Sequence, residues 1–303
     1  MPSGTTERLG AAEFAPNAKF LDEALTLLDG GGAVDVATRR EALGAFASLP
    51  APGARPGRGW KHDYDKLSYD ELRWVAGRVT LPAPPRRTAP AAAKSNVEVD
   101  RPALATENAG GLYHIGGAYV DLPSGVDPRV TLLPLDGQTA RTHAGILNGA
   151  HTLIVDWRRD RFAALATAFQ NCGVLVHIPA GVTIDAPIQL VFSSAPDAEA
   201  VFPHIVVVAE AGARATVIER HIGDGDSLVC GIVEVRAAEG AQLDYVAVQQ
   251  AGETARVFFS RGARVERDAA VRWHLAELGA TLARSVIGAD LGEPGARSET
   301  SAL

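Results

Sequence analysis

Glu239-Gly240-Ala241-Gln242-Leu243-Asp244-Tyr245 sets a glycine–alanine pair in front of a strand-like run that extends over residues 243–248. The same pair recurs as Gly212-Ala213, Gly262-Ala263, Gly279-Ala280 and Gly295-Ala296, at spacings of 28, 22, 17 and 16 residues. The Asn-Gly and Asp-Gly pairs that close tight hairpins in a sandwich are scarce. A parallel β-helix fits better. Each coil would turn at a small residue and a left-handed glycine, then lay a strand on the coil before it. Inward Val, Leu and Ile would stack from coil to coil. A β-sandwich is the alternative on pattern alone.

Short β-branched runs continue outward from that stretch, over residues 130–135, 151–155, 174–178, 188–192, 205–208, 216–219, 228–236, 257–260, 271–275 and 282–287. One helix interrupts them over 159–171, with Phe162, Leu165, Ala166 and Phe169 on one face. Residues 81–95 read as a linker, in which Pro82, Pro84, Pro85 and Pro90 remove backbone donors and favour an extended chain. Ahead of it, residues 1–80 read as a small helical domain. Phe20, Leu21, Ala24, Leu25, Leu27 and Leu28 form an amphipathic stripe that ends at Asp29-Gly30-Gly31-Gly32. A second helix is predicted over 37–48 with Thr38 as N-cap and Pro50 beyond it. A third is predicted over 68–77, where Ser68 and Glu71 have capping-box spacing. The resulting fold is mostly β: a parallel β-helix over 96–303 preceded by a small α-helical domain.

Composition narrows the function. The 303 residues are 47% apolar and 21% charged, ordinary for a globular chain with a sizeable core. The net charge of −7 lacks the basic footprint of a nucleic-acid-binding protein. That acidic excess falls after residue 90, where 17 basic groups face 25 acidic ones. Two cysteines, Cys172 and Cys230, build neither a disulfide framework nor a four-cysteine metal site. The first residues show no secretory signal, and no run of about 18 uncharged apolar residues spans a membrane, so a reducing cytoplasm is the expected compartment.

Most chemical motifs fail on spacing. Asp29-Gly30-Gly31-Gly32 lacks the Gly-Lys-Ser/Thr of a phosphate loop, and no Gly-x-Ser-x-Gly elbow occurs. Asp224-Gly225-Asp226-Ser227 lacks the remaining ligands of a calcium loop and reads as a tight acidic turn. His62, His114, His143, His151, His177, His204, His221 and His274 include no i, i+4 pair, and none lies within three residues of a cysteine. His177 and His204 sit in apolar strands and read as structural. Cys172 and Cys230 read as small buried apolar residues rather than persulfide carriers or cluster ligands, without adjacent cations to favour a thiolate. Glu234, Asp244 and Glu266 could line a glycosidase-like cleft if two of them lay about 5–9 Å apart, but their strand phase is that of solvent-facing positions. Trp60-Lys61-His62-Asp63-Tyr64 reads as a packing loop. No catalytic, cofactor-binding or metal-ligating residue is assigned.

The stretch from Asp160 to Phe192 resembles the SufB/SufD family, the scaffold proteins of SUF iron–sulfur cluster assembly. Its motifs include Gly173-Val174-Leu175-Val176-His177-Ile178-Pro179-Ala180-Gly181-Val182 and Ala186-Pro187-Ile188-Gln189-Leu190. Phe202-Pro203-His204-Ile205-Val206-Val207-Val208-Ala209-Glu210-Ala211-Gly212-Ala213 and Thr216-Val217-Ile218-Glu219 resemble a later coil of that family, and Glu239 to Tyr245 the next. Gly59-Trp60-Lys61-His62-Asp63-Tyr64 is similar to its Trp-containing segment before the core, with Lys61 and His62 departing from it. The resemblance covers about residues 55–303, and the helical N-terminus favours its SufD side.

This resemblance implies a right-handed parallel β-helix and a non-enzymatic role beside a SufB-like scaffold and a SufC-like ATPase. It implies no cofactor on this chain alone; an iron–sulfur cluster, or flavin, would belong to the assembled complex. Homo-oligomers are compatible with it; nucleic acid and membrane partners are not expected. The family's Cys and Glu of the SufB side and His of the SufD side lie late in its β-helix, and no position here matches them. The family continues beyond the point matched by Leu303, so a shortened solenoid with an exposed strand edge at its C-terminal end is expected. The rival readings are a polysaccharide-acting β-helix enzyme and a structural solenoid that associates end to end.

Overall fold

Left-handed backbone recurs at Gly181, Gly212, Gly240, Asp268 and Gly295, with φ between 55° and 74° and spacings of 31, 28, 28 and 27 residues. The computed structural model, which describes residues 32–50, 73–74, 111–115, 118–121, 127–193, 199–223 and 227–303, shows these positions stacked at one corner of a solenoid. The N–H groups of Gly181, Gly212 and Gly240 donate to the carbonyls of Ala211, Glu239 and Arg267, 2.8 Å away in each case. Each corner is thereby tied to the next coil. Glycine suits the site because left-handed backbone penalises a Cβ, and Asp is among the residues that tolerate it. Gly262 and Gly279, predicted as corners, are not left-handed. Gly262 lies inside a strand, where an added Cβ would meet Val155 and Ile154, and at the second pair the left-handed residue is Ala280. Removing these two restores a nearly constant period of about 28.

In chain order the elements are α1 (Val36–Ser48), β1 (Arg73–Trp74), β2 (Gly111–Ile115), β3 (Ala118–Asp121), β4 (Thr131–Pro134), α2 (Gly137–Thr142), α3 (Ala144–Leu147) and α4 (Arg161–Phe169). Then come β5 (Cys172–Ile178), β6 (Ile188–Ser193), β7 (Glu199–Val201), β8 (Pro203–Ala209), β9 (Arg214–Gly223), β10 (Leu228–Ala237), β11 (Gln242–Ala251), β12 (Arg256–Val265), β13 (Ala270–Glu277), β14 (Leu282–Asp290) and β15 (Arg297–Ala302). Each coil contributes one strand to each of two sheets. The first sheet stacks β5, β8, β10, β12 and β14 in parallel; the second stacks β6, β9, β11, β13 and β15. This is a parallel β-solenoid of about four turns. Among the strands of the described residues, antiparallel pairing is confined to β4 with β5 and β2 with β3, at the first-coil end of each sheet. At the other end β14 and β15 are the outermost rungs, and most of their side chains are exposed.

Strand alternation sorts side chains between two environments. Val174, Ile205 and Val233 stack in register inside the solenoid, and Leu243 and Val271 do so from the second sheet. The outer face of the first sheet is covered rather than solvated. Ala42 and Phe46 of α1 pack with Phe162, Leu165 and Phe169 of α4 against Cys230, Ile232 and Phe258. All nine residues of α4 are therefore buried, not the single face predicted, because α1 covers its far side. Arg39 of α1 is itself buried and donates to the carbonyls of Ala168 and Gln170 at the C-terminal end of α4, groups that lack intrahelical partners.

Several expectations need correction. Asp35, not Thr38, caps α1: its carboxylate accepts the Thr38 N–H at 2.9 Å. Arg73–Trp74, expected in a helix, is a strand parallel to Glu199–Ala200. Residues 151–155, expected as a strand, form an irregular strap whose N–H groups go to a side chain, described below. The predicted helix at Phe20–Leu28, the 81–95 linker, the Trp60 cluster and the 224–226 turn lie outside the described residues. No helix among the described residues is long and apolar enough to cross a membrane.

Asp160 connects helix and solenoid. It accepts the Phe162 and Ala163 N–H groups at 2.9 and 3.0 Å as the N-cap of α4, and pairs with Arg284 of β14 at 2.6 Å. Asp160→Ala is expected to lower unfolding free energy by about 2 kcal/mol, from the lost cap and a half-buried ion pair. Asp160→Asn, which retains the cap, should lose about half of that. Urea unfolding midpoints of the two variants check the difference.

Candidate functional site

Among the described residues, two buried polar clusters interrupt the apolar columns, one inside the solenoid and one on the covered face of its first sheet. The inner cluster follows from strand phase. Glu219 and His221 of β9 are two residues apart and so share the inward face. The column Ile188–Val217 continues into Tyr245 and Trp273, and the column Phe192–His221 into Gln249 and Glu277. From the opposite sheet, the column Val174–Ile205–Val233 reaches Arg261.

Glu219 lies at the centre of this cluster. The Tyr245 hydroxyl donates to its Oε2 at 2.7 Å, His221 Nε2 donates to Oε1, and Arg261 Nη2 stands 3.5 Å from both oxygens. The side chains of Arg261 and Glu219 are 2% and 0% exposed, which makes this a buried ion pair. The His221 ring stacks on Phe192, and the Arg261 guanidinium lies 4.3 Å over the Phe259 ring. Burial works against the Glu219 carboxylate, but the Arg261 guanidinium and then His221 and Tyr245 outweigh it and hold the group at about 2. Burial and the Glu219 charge push the Tyr245 phenol well up. Arg261 also donates to Ser285 Oγ at 3.0 Å, and Ser285 donates to Glu277 at 2.6 Å, carrying the network toward the last coil. Gly231 makes room for this arrangement, since a Cβ there would fall 2.2 Å from the Phe259 ring.

The outer cluster centres on Glu234. Its phase on β10 places it with Cys230 and Ile232 on the covered face. Oε2 accepts from the Thr152 N–H at 2.6 Å and from His204 at 2.7 Å; Oε1 accepts from the Ile154 and Val155 N–H groups at 2.8 and 3.0 Å. Burial opposes this carboxylate too, yet the His204 hydrogen bond and the Val155 N–H keep it below its ordinary range. The His151 ring lies 4.7 Å from that of His204. Burial first, then His204, push His151 down to about 3. The carboxylate thus fastens the strap over residues 150–155 and replaces the ladder bonds that a strand there would have made.

The carboxylates weighed as a hydrolase pair do not meet. Glu234 is fully buried, not solvent-facing, because the strap covers it. Asp244 lies on the outer face of the second sheet and is held below its ordinary range chiefly by a hydrogen bond from Arg272. Glu266 pairs with Arg236 at 3.0 Å. Glu234 and Asp244 thus point away from opposite sheets. Both cysteines are buried: Cys172 faces the interior, and the Cys230 thiol donates to the Phe162 carbonyl at 3.2 Å and is pushed well up by burial and then by Asp160. Among the described residues no group of three or more His, Cys, Asp and Glu side chains is placed to hold a metal ion. Elsewhere His177 lies 3.5 Å from Glu210, and His274 lies 3.4 Å from Asp244.

The pair Glu219–His221 was open to a sequence reader through its i, i+2 spacing in a strand. The meeting of His151, His204 and Glu234 was not, since nothing local ties residues 53 and 30 positions apart.

Residues 191–303 match the family described as SUF system FeS cluster assembly, SufBD core domain. The chain is also 29% identical over 119 residues to the iron–sulfur cluster assembly protein SufD of Bacillus subtilis (strain 168). That match takes in 38% of this chain and spans 27% of the relative's length. The matched region runs from the end of β6 to β15 and contains Glu219, His221, Glu234, Tyr245 and Arg261.

Proposed function

We propose that the chain, whose residues 191–303 match the SufBD core domain, is a SufD-like, non-enzymatic component of iron–sulfur cluster assembly. It works in the cytoplasm beside a SufB-like scaffold and a SufC-like ATPase. The observation that carries the reading is the match of a SufBD core to residues 191–303, which hold the solenoid's strands from the end of β6 to β15. The burial of both thiols supports the division of labour: a cluster is cargo of the assembled complex, and a thiolate for it comes from a partner.

The test is co-expression of the full chain, carrying an affinity tag, with untagged SufB-like and SufC-like proteins from the same genome. A complex that co-purifies in fixed stoichiometry, together with restored aconitase activity in a bacterial strain lacking its own SufD, is the expected result. A chain that purifies alone and restores nothing overturns the proposal.

A further inference from the structure

We propose that His151 and His204 form a binding site for a divalent transition-metal ion of the imidazole-preferring class, such as Zn(II), under the strap over residues 150–155. Two ring nitrogens, His204 Nδ1 and His151 Nε2, are buried and have no hydrogen-bond partner among the described residues. They belong to rings whose centres are 4.7 Å apart and whose planes are tilted by 52°. An unpaired polar atom in such a place is costly, and here two stand on neighbouring rings.

Glu234 supplies the first part of it. Its carboxylate is 2.7 Å from His204 Nε2, so the proton of that ring sits on Nε2 and the Nδ1 lone pair is left free. A carboxylate that orients one imidazole nitrogen while the other faces a metal is the usual outer-shell arrangement of a metal-bound histidine. Glu234 is itself fixed by three backbone N–H groups of the strap that carries His151. One carboxylate therefore positions both rings.

Geometry and chemistry narrow the ion. With metal–nitrogen bonds of about 2 Å, two imidazoles with centres this close subtend a bent angle, roughly 90–110°, and a linear two-coordinate ion does not fit. Two neutral nitrogens without a thiolate favour the zinc, copper and nickel class over magnesium or calcium. The Cys230 thiol is engaged with the Phe162 carbonyl and supplies no third ligand. The two imidazoles are therefore the ligands this chain supplies, since no larger cluster of ligating side chains stands among the described residues.

The test uses the untagged full chain, dialysed to equilibrium against Zn(II) alone, with bound metal counted by mass spectrometry. One ion per chain is expected, and His151→Phe, which keeps a ring in the strap, should weaken binding at least tenfold while His274→Ala leaves it unchanged. Less than one ion bound at tenfold excess of Zn(II), or equal binding by wild type and His151→Phe, overturns the site. A measurement that needs no variant stands beside it. Nitrogen-15 spectra of the histidine rings should show Zn(II) moving the signals of His151 Nε2 and His204 Nδ1. Movement confined to other histidines overturns the site equally.

Discussion

Glu219→Gln is expected to lower unfolding free energy by about 3–5 kcal/mol, the cost of breaking a buried ion pair from one side. Glutamine retains the shape but not the charge, so the Arg261 guanidinium, almost wholly enclosed, loses its anion. Besides the glutamine amide, the Ser285 hydroxyl and the Phe259 ring face remain to it among the described residues, and none of the three carries charge. Removing both charges is a different matter, because an uncharged pair of similar volume leaves none stranded. The double variant Glu219→Gln, Arg261→Met should therefore recover most of the loss, and urea unfolding of the four species measures the coupling. A single variant within 1 kcal/mol of wild type would remove the ion pair from any account of this fold. The pH dependence has a definite direction. Glu219 is ionised in the folded chain down to about pH 2, whereas in the unfolded chain it takes up its proton near its ordinary value of 4.5. Its contribution is complete above pH 4.5 and disappears as the pH falls toward 2. Across that window wild type should lose about 3 kcal/mol more than Glu219→Gln.

Gly173→Ala is the second substitution expected to be severe. A Cβ at this position would stand 2.2 Å from the carbonyl oxygen of His204 and 3.3 Å from its nitrogen, on the neighbouring rung. These are backbone atoms of a paired strand and cannot rotate aside. Relief requires β5 to part from β8, at a cost of about 3 kcal/mol or more. Gly279→Ala should behave alike, since its methyl would meet the Ala251 carbonyl oxygen at 2.0 Å. Gly145 in α3 provides the contrast, with nothing within 4 Å of an added methyl. Alanine there should be neutral or stabilising by up to about 1 kcal/mol. Thermal unfolding distinguishes the cases, and equal midpoints for Gly173→Ala and Gly145→Ala would refute the close approach.

The solenoid was legible because its rule is local. A glycine at a corner and an alternating run after it identify a coil wherever they occur, and Gly212 and Gly240 gave the true period. Gly262 and Gly279 obscured it, because a glycine that makes room for Val155 or for a neighbouring carbonyl looks the same in sequence as one that turns the chain. The strap was misread for a related reason. His151-Thr152-Leu153-Ile154-Val155 has the composition of a strand, and only Glu234, some eighty positions away, takes the N–H groups that a ladder would have used. Glu234 looked solvent-facing because alternation reveals which side of a strand a residue occupies, not what lies over that side. Thr38 lost its capping role to Asp35, whose carboxylate reaches the same N–H. Long-range partners of charged groups are the part that local pattern does not carry.

The constant interval between left-handed corners has an evolutionary consequence. Successive corners are structurally equivalent and each bonds to the one after it, so excising the segment between two of them joins like to like. Such a protein can gain or lose length in quanta of one full winding, whereas a single residue added inside a strand would reverse the facing of the side chains that follow it in that strand. The freedom is not uniform along the chain. A winding lined only by aliphatic groups is interchangeable with its neighbours, but the windings that share the Glu219–Arg261 pair must be inherited as a block, and there duplication or deletion would leave a charge without its counterpart.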